Sequence, residues 1–337
     1  MKFDGKTYTK INDLVGKGNY LSVENFVEVA VKNQLSLELA GKSEAKRFRS
    51  QQKPVRTDQS KFSTLLGKPE KVLTETHVSK TLDDKIRNSP IWGQINRLVP
   101  VKFVMRILVN NLIDSEETSV DLKRFNADVA QMATEFRRFA KRMDKKQRIR
   151  GEEIYVGFSK KTPSSQQRFL NYYVGKGPLK KWTDSILTGL SLASIEEFED
   201  GTTVIEPTEN GLKLALMHSP IIDDFFLDKK QIDAPFSEEE VSFLISQIRS
   251  TRPGELEFLS FTLRAIKKGA DTPAKLRNEV FSFLAQKDLE IKTSEKIINT
   301  MQIGVIGRLV EMRLLKIEKK AQKSRYIVTS KGEKIIE

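Results

Sequence analysis

Seven large apolar residues, Leu122, Phe125, Val129, Met132, Phe136, Phe139 and Met143, recur in steps of three and four. A strand, with its period of two, would scatter them over both faces, whereas a helix of about 3.6 residues per turn stacks them in one stripe. The stripe predicts about six turns of helix, with Thr118 and Asp121 as a capping box at its start. A helix that long, apolar along one side, has to cover that side with other elements. Core packing is the role the stripe implies, and the chain must be assembled chiefly by packing helices.

Neighbouring segments agree. Pro100 opens an apolar helix, VKFVMRILVNNLI. Ser22 caps a helix from Val23 toward Asn33, with Phe26, Val27, Ala30 and Val31 on its apolar face. Between them, KSEAKRFRSQQKPVRTDQSK is basic and poor in apolar residues, as expected of a linker or mobile arm. Ile149 to Phe158 reads as a hairpin or strand pair. A chain of 337 residues is long enough for two or three cores. The expected organisation is a small helical unit at 1–40, a basic linker at 41–90, a helical domain at 91–220, a helical connector at 221–270 and a C-terminal domain at 271–337. The expected fold class is mainly α with small β-hairpins.

Charge narrows the function. The net charge is +13, and it is segregated: +7 over 1–100, +8 over 101–180, −9 over 181–250 and +7 over 251–337. Such a basic excess suits a polyanion, because each Lys or Arg near a phosphate releases condensed counterions. The densest cluster ends the long helix. Arg137, Arg138, Lys141, Arg142, Lys145, Lys146, Arg148 and Arg150 lie among fourteen residues that hold one acid. A helix dipole accounts for one or two cations there, at about 0.3–1 kcal/mol each, and not for eight. The acidic stretch 181–250, with Phe225, Phe226 and Leu227 beside Asp223 and Asp224, is expected to contact a protein partner or another part of the same chain.

With no cysteine, disulfides, iron–sulfur clusters and thiolate zinc sites are excluded. His77 and His218 are the only histidines, too few for a histidine metal centre, and no cofactor or metal is expected. The most apolar stretch, Ile91 to Ile113, is broken by Arg97, Lys102 and Arg106, so no membrane span is expected. The N-terminus lacks the apolar core of a signal peptide. A cytoplasmic, nucleoid-associated protein is the expectation.

The C-terminal sixty-odd residues carry a motif. Ala274 to Gln286 is an amphipathic helix on Leu276, Val280, Phe283 and Leu284. DLEIK (288–292) is strand-like. Ser294 to Met301 and Ile303 to Leu314 read as two helices separated by a turn. Leu315–Lys319 and Tyr326–Thr329 are strands joined by KAQKS, and SKGEKII closes as a helix. The run RLVEMRLLKIEKKAQKSRYIVTSKGEKII resembles the recognition helix and wing of winged-helix DNA-binding domains. Leu309, Leu314, Leu315, Ile317, Lys319, Tyr326, Val328, Thr329 and Gly332 hold the motif positions. The glycine usual after the third helix is replaced by Leu314 or its neighbour.

That resemblance implies a helix in the major groove, with Gln302, Arg308 and Arg313 facing base edges and Gly304 and Gly307 allowing close approach. It implies phosphate contacts from a wing bearing Lys316, Lys319, Lys320, Lys323 and Arg325 against Glu318. Upstream, ILTGLSLASIEEFEDGTTVIEPTENGLKLAL echoes the same pattern. Leu192 and Ile195 match Leu315 and Ile317, and Thr208 and Gly211 match Thr329 and Gly332. Its wing is acidic, with Glu196, Glu197, Glu199 and Asp200, which phosphate would repel. Two or three winged-helix modules are expected, an architecture similar to plasmid replication initiators and the recognition halves of some restriction enzymes.

Two enzymatic signals are weaker. Gly41, Lys42 and Ser43 match the tail of a phosphate-binding loop, but Ser36 stands where its first glycine belongs. Asp288, Glu290 and Lys292, with Asp271 upstream, have the spacing of a metal-dependent nuclease, and Glu318 to Lys320 repeats the Glu-x-Lys part. The expected function is therefore non-enzymatic binding of duplex DNA through the C-terminal module and the central basic patch. Structured RNA offers the same phosphate chemistry. The alternatives are a recognition or scaffold subunit of a defence, restriction or replication complex and, behind it, a nuclease.

Overall fold

The computed structural model describes residues 64–69 and 82–336, apart from 116, 148–152, 182, 288–293 and 321–322, together with Thr9, Asn12, Val15, Ser22, Val23 and Val27. The chain forms two compact units, Met1–Gln59 and Ser60–Glu337. In the first, Thr9, Asn12, Val15, Val23 and Val27 are helical, and Ser22 precedes Val23 outside the helix. The rest of the expected N-terminal helix, and the Gly41–Ser43 segment, lie outside the described residues.

The second unit is mainly helical with two small antiparallel sheets. It opens with α1 (Asp84–Arg87), capped by the Asp83 carboxylate on the Lys85 N–H. The apolar α2 (Val99–Ser115) follows, buried at every residue from Val99 to Leu112. A buried helix must satisfy its polar side chains internally. The Lys102 ammonium accordingly donates to the carbonyls of Leu214 and Met217 and pairs with Glu240 at 3.3 Å. Burial pushes Lys102 down to about 8, partly offset by Glu240. Arg106 donates to Ala215 O and Leu66 O and pairs with Asp223 at 3.0 Å, and Asn110 donates to Gly67 O. These contacts tie 64–69 into the core, where Leu65 and Leu66 are buried. This part of 41–90, and 82–90 with it, is therefore packed structure rather than linker.

Strand β1 (Val120–Asp121) leads into α3 (Leu122–Gln147). Asp121 alone caps it, accepting from the Arg124 N–H at 2.7 Å. Leu122, Phe125, Val129, Met132 and Phe136 of the stripe are buried, with Phe139 and Met143 partly so. The expected hairpin at 149–158 is instead a short 3-10 turn, Ile154–Gly157. Arg137 fixes it by donating to the carbonyls of Tyr155 and Phe158, and Asp144 accepts from the Tyr155 N–H at 3.1 Å. Next come α4 (Pro163–Tyr173), α5 (Ile186–Gly189), β2 (Ala193–Glu197), β3 (Thr203–Pro207) and α6 (Glu209–Leu216), with sheet order β1-β3-β2.

A π-helical segment, Pro220–Leu227, packs Phe225 against Phe139 and Phe226 against Phe136 and Phe139, with ring centroids 5.0–5.3 Å apart. With Asp223 and Glu240 paired to Arg106 and Lys102, part of the acidic stretch faces the chain's own core. Helices α7 (Glu238–Thr251), α8 (Pro253–Lys267), α9 (Pro273–Ala285) and α10 (Glu295–Glu311) follow, then β4 (Leu315–Lys320), β5 (Lys323–Val328) and α11 (Ser330–Ile336). Residues 60–337 are one compact unit, so neither 220 nor 270 divides compact bodies. The two expected helices at 294–314 are one, because Gly304 and Gly307 pack inside it instead of breaking it.

The second unit repeats itself. Helix α5 ends when Ser191 takes φ 49°, with Ser191 N–H on Thr188 O and Leu192 N–H on Leu187 O. Helix α10 ends when Arg313 takes φ 58°, with Arg313 N–H on Val310 O and Leu314 N–H on Leu309 O. Both are Schellman turns, built at the left-handed position where glycine is usual. Arg313 is therefore the residue in the glycine's place, and Leu192 corresponds to Leu314 rather than Leu315. After each hairpin, the threonine hydroxyl accepts from a glycine N–H three residues on, Thr208 from Gly211 and Thr329 from Gly332, both at 3.1 Å. It also donates back to the left-handed residue's carbonyl, Ser191 or Arg313. Before each second helix, the chain pairs with the far strand, Val120 with Ile205 and Asp271 O with the Tyr326 N–H at 2.7 Å. The third strand position of the second copy is thus at Asp271, while DLEIK lies outside the described residues.

Candidate nucleic-acid interface

Of the side chains expected to reach bases, Gln302 and Arg308 are buried, and Arg313 is exposed on the turn after α10. The Arg308 side chain is fully buried, its Nε 2.8 Å from Glu255 Oε1 and its Nη1 donating to Ile95 O at 2.6 Å. Gln302 is buried and donates to Pro273 O at 2.7 Å. A Cβ on Gly304 would lie 2.5 Å from the Cα of Gly93, and one on Gly307 would strike the carbonyl of Asn96. The close approach these glycines permit is therefore to the chain's own segment 91–98, which covers the helix where DNA was expected. Arg313, on the turn, donates to Asp233 O.

Segment 91–98 is held from both copies. The Ile91 N–H donates to Glu255 at 2.6 Å, Tyr173 OH to Arg97 O at 3.0 Å, and Arg97 to Gly307 O at 3.3 Å. The Glu311 carboxylate receives the N–H groups of Leu98 and Val99, where α2 begins. Burial pushes Glu311 up to about 7 against the opposing pull of Arg97.

The hairpin β4–β5 keeps Lys316 and Lys319 exposed. Arg325 is also exposed and pairs with Asp271 at 2.6 Å. Asp271 also pairs with Lys275, so this member of the nuclease-like set serves the hairpin and α9. In the central patch, Arg138, Lys141 and Arg142 are exposed, while Arg137 is committed to the 3-10 turn and lies 4.8 Å from the Tyr155 ring centre. Only the backbone is described for Lys145, Lys146, Lys320 and Lys323, and Arg148 and Arg150 lie outside the described residues. Glu153 and Ile154, at the start of the Arg137-bound turn, share a cleft of about 320 Å³ with Arg97, Arg313 and Lys316.

One basic surface was not singled out from the sequence. Residues 154–183 hold Lys160, Lys161, Arg168, Lys176, Lys180 and Lys181 and no acid. All six cations are exposed. The signal was legible as an acid-free run, masked by the denser cluster just before it. No family model matches the chain, and no curated protein or solved structure matches it.

Proposed function

We propose that the protein binds duplex DNA, without catalysing a reaction on it, through two winged-helix modules of unequal role. The observation that carries this reading is the duplication: one turn, hairpin and Thr-x-x-Gly cap, the features on which the winged-helix resemblance rests, occur twice with the same hydrogen bonds. Exposed cations supply the phosphate chemistry, from Arg138, Lys141 and Arg142 of α3 and from Lys316 and Lys319 of the second hairpin. The buried face of α10 makes the second copy a scaffold that offers its hairpin rather than its helix.

Salt titrations of the full chain on a random-sequence duplex test the reading. Six to ten phosphate contacts would lower affinity about 10³–10⁵-fold between 50 and 200 mM salt, and a flat response discards it. A second reading, a recognition or scaffold subunit of a larger nucleic-acid complex, is favoured by the first hairpin. Its acidic tip carries Phe198, 52% exposed between Glu197 and Glu199. A DNA contact is an unsuitable place for such a tip, and a protein contact suits it.

A further inference from the structure

We propose that α4 is the base-reading helix of this protein and that the loop 176–181 is its phosphate clamp. The inference rests on the duplex-DNA reading and moves its specificity from the second copy to the first. Ser164, Gln167, Arg168 and Asn171 fall at i, i+3, i+4 and i+7 of α4, on one stripe. Ser164, Gln167 and Arg168 are exposed and Asn171 half-buried, while Phe169, Leu170 and Tyr173 of the opposite face are in the core. Gln166, on the inward face with Leu170 and Tyr173, donates to the Thr134 hydroxyl of α3 at 3.1 Å. The two faces of α4 are therefore separated residue by residue.

The outer stripe has the chemistry of major-groove readout. Gln and Asn amides match the N6/N7 edge of adenine, and an arginine fork matches the O6/N7 edge of guanine. Gln167 Nε2 donates to Asn171 Oδ1 at 2.8 Å, so the two amides are aligned along the helix. The surroundings supply charge in fixed places. Lys160 and Lys161 precede the helix, and the Lys160 N–H is held by the Ser165 hydroxyl at 2.9 Å. After the helix, the Asp184 carboxylate accepts the backbone N–H groups of both Lys180 and Lys181 at 2.9 Å. Asn171 lines one hollow with Lys176, Lys180 and Lys181, and Gln167 lines a second with Lys123 and Lys176. Asp184 and Glu197 also line the first hollow and Asp121 and Asp200 the second, so a bound duplex must seat its phosphates on the lysine side of each. The A-form major groove is too narrow to admit a helix, which selects duplex DNA over duplex RNA.

The test selects bound sequences from a random duplex-DNA library with the full chain, then titrates the selected and a random duplex at two salt concentrations. Gln167→Ala, Arg168→Ala and Asn171→Ala are each expected to lower the preference for the selected duplex, by about 5- to 150-fold for a lost bidentate contact. Binding to the random duplex should change less. Lys176→Ala with Lys180→Ala and Lys181→Ala should weaken both duplexes alike and flatten the log–log salt slope by up to about three units. Gln166→Ala, altered on the inward face, should keep the selected sequence. Thermal melts matching the parent identify the α4 variants as folded. If the parent prefers no sequence, or the folded α4 variants select the same sequence with the same preference, α4 reads no bases and the inference falls while DNA binding stands. Equal affinity for duplex RNA overturns it too. A parent that binds no duplex overturns the functional reading and this inference together.

Discussion

Truncating Arg308 to alanine removes one end of a solvent-free ion pair and, with it, the donors to the carbonyls of Ile91 and Ile95. The loss has two parts. Glu255 stays buried with its main cation gone, and breaking a buried pair costs about 3–5 kcal/mol. Each carbonyl left without a donor adds about 1–3 kcal/mol where water does not reach it. Arg252 offers Glu255 some compensating attraction, so the lower end of these ranges, about 3 kcal/mol in all, is the expected floor. Against a typical total of about 5–15 kcal/mol, that is a large loss. Urea denaturation followed by circular dichroism should show a lower midpoint at an unchanged slope. Adding Glu255→Gln to Arg308→Met should recover part of the loss, because the amide still accepts from the Ile91 N–H and carries no charge to strand. A coupling of about 0.5–3 kcal/mol between the two positions is the signature of contact. A variant with the parent's midpoint, or one that loses only sequence preference in DNA binding, refutes the packing argument.

Two further outcomes follow from the segment that covers α10. Glu311 has an ordinary value of 4.5 and is raised to about 7 in the fold. The native state therefore holds the extra proton in that window, and stability should fall as pH rises through it, by at most about 3 kcal/mol. Glu311→Gln keeps an acceptor for the Leu98 and Val99 N–H groups, so denaturation midpoints measured against pH should lose this slope, and a parent without the slope contradicts the assignment. Gly304→Ala must push α10 and Gly93 apart, at about 1–3 kcal/mol. Limited proteolysis should then cut near 91–98 faster than in the parent, and an unchanged pattern counts against close packing there.

Much of the architecture was legible because it rests on periodicity. The α3 stripe, the apolar α2, the α9 helix and the final hairpin and helix all follow from spacing alone. What periodicity does not encode is which polar residue has a partner far away in the chain. Arg308 and Glu255 are 53 positions apart, so nothing near Arg308 marks it as buried. The pair Gly304 and Gly307 was a truer signal, since small residues one turn apart mark close packing as readily as a DNA contact. The turn at 313 misled for a related reason. Left-handed backbone is normally bought with glycine, at a cost to other residues of about 1–2 kcal/mol, yet here Ser191 and Arg313 both take it. The hydrogen bonds from Thr208 and Thr329 to these residues' carbonyls show how the surrounding cap holds the conformation. In the candidate site, α4 was hidden because Pro163–Tyr173 lies beside a cluster of eight basic residues that draws attention first.

The two copies divide between them the parts that one DNA-binding module would use. In the first copy the helix that corresponds to α10 is the short, buried α5, while the polar face of the preceding α4 is open and the hairpin, Glu196 to Asp200, is acidic. The second carries a hairpin with exposed Lys316 and Lys319 but buries its helix under 91–98. A phosphate backbone would be repelled by the first hairpin and attracted by the second. Arg308 forms a core ion pair that ties α8, α10 and the 91–98 segment together. On this account, the same substitution class separates the copies. Polar changes on α4 should move sequence preference, and polar changes on α10 should move stability, although the two helices stand in duplicated units of one chain.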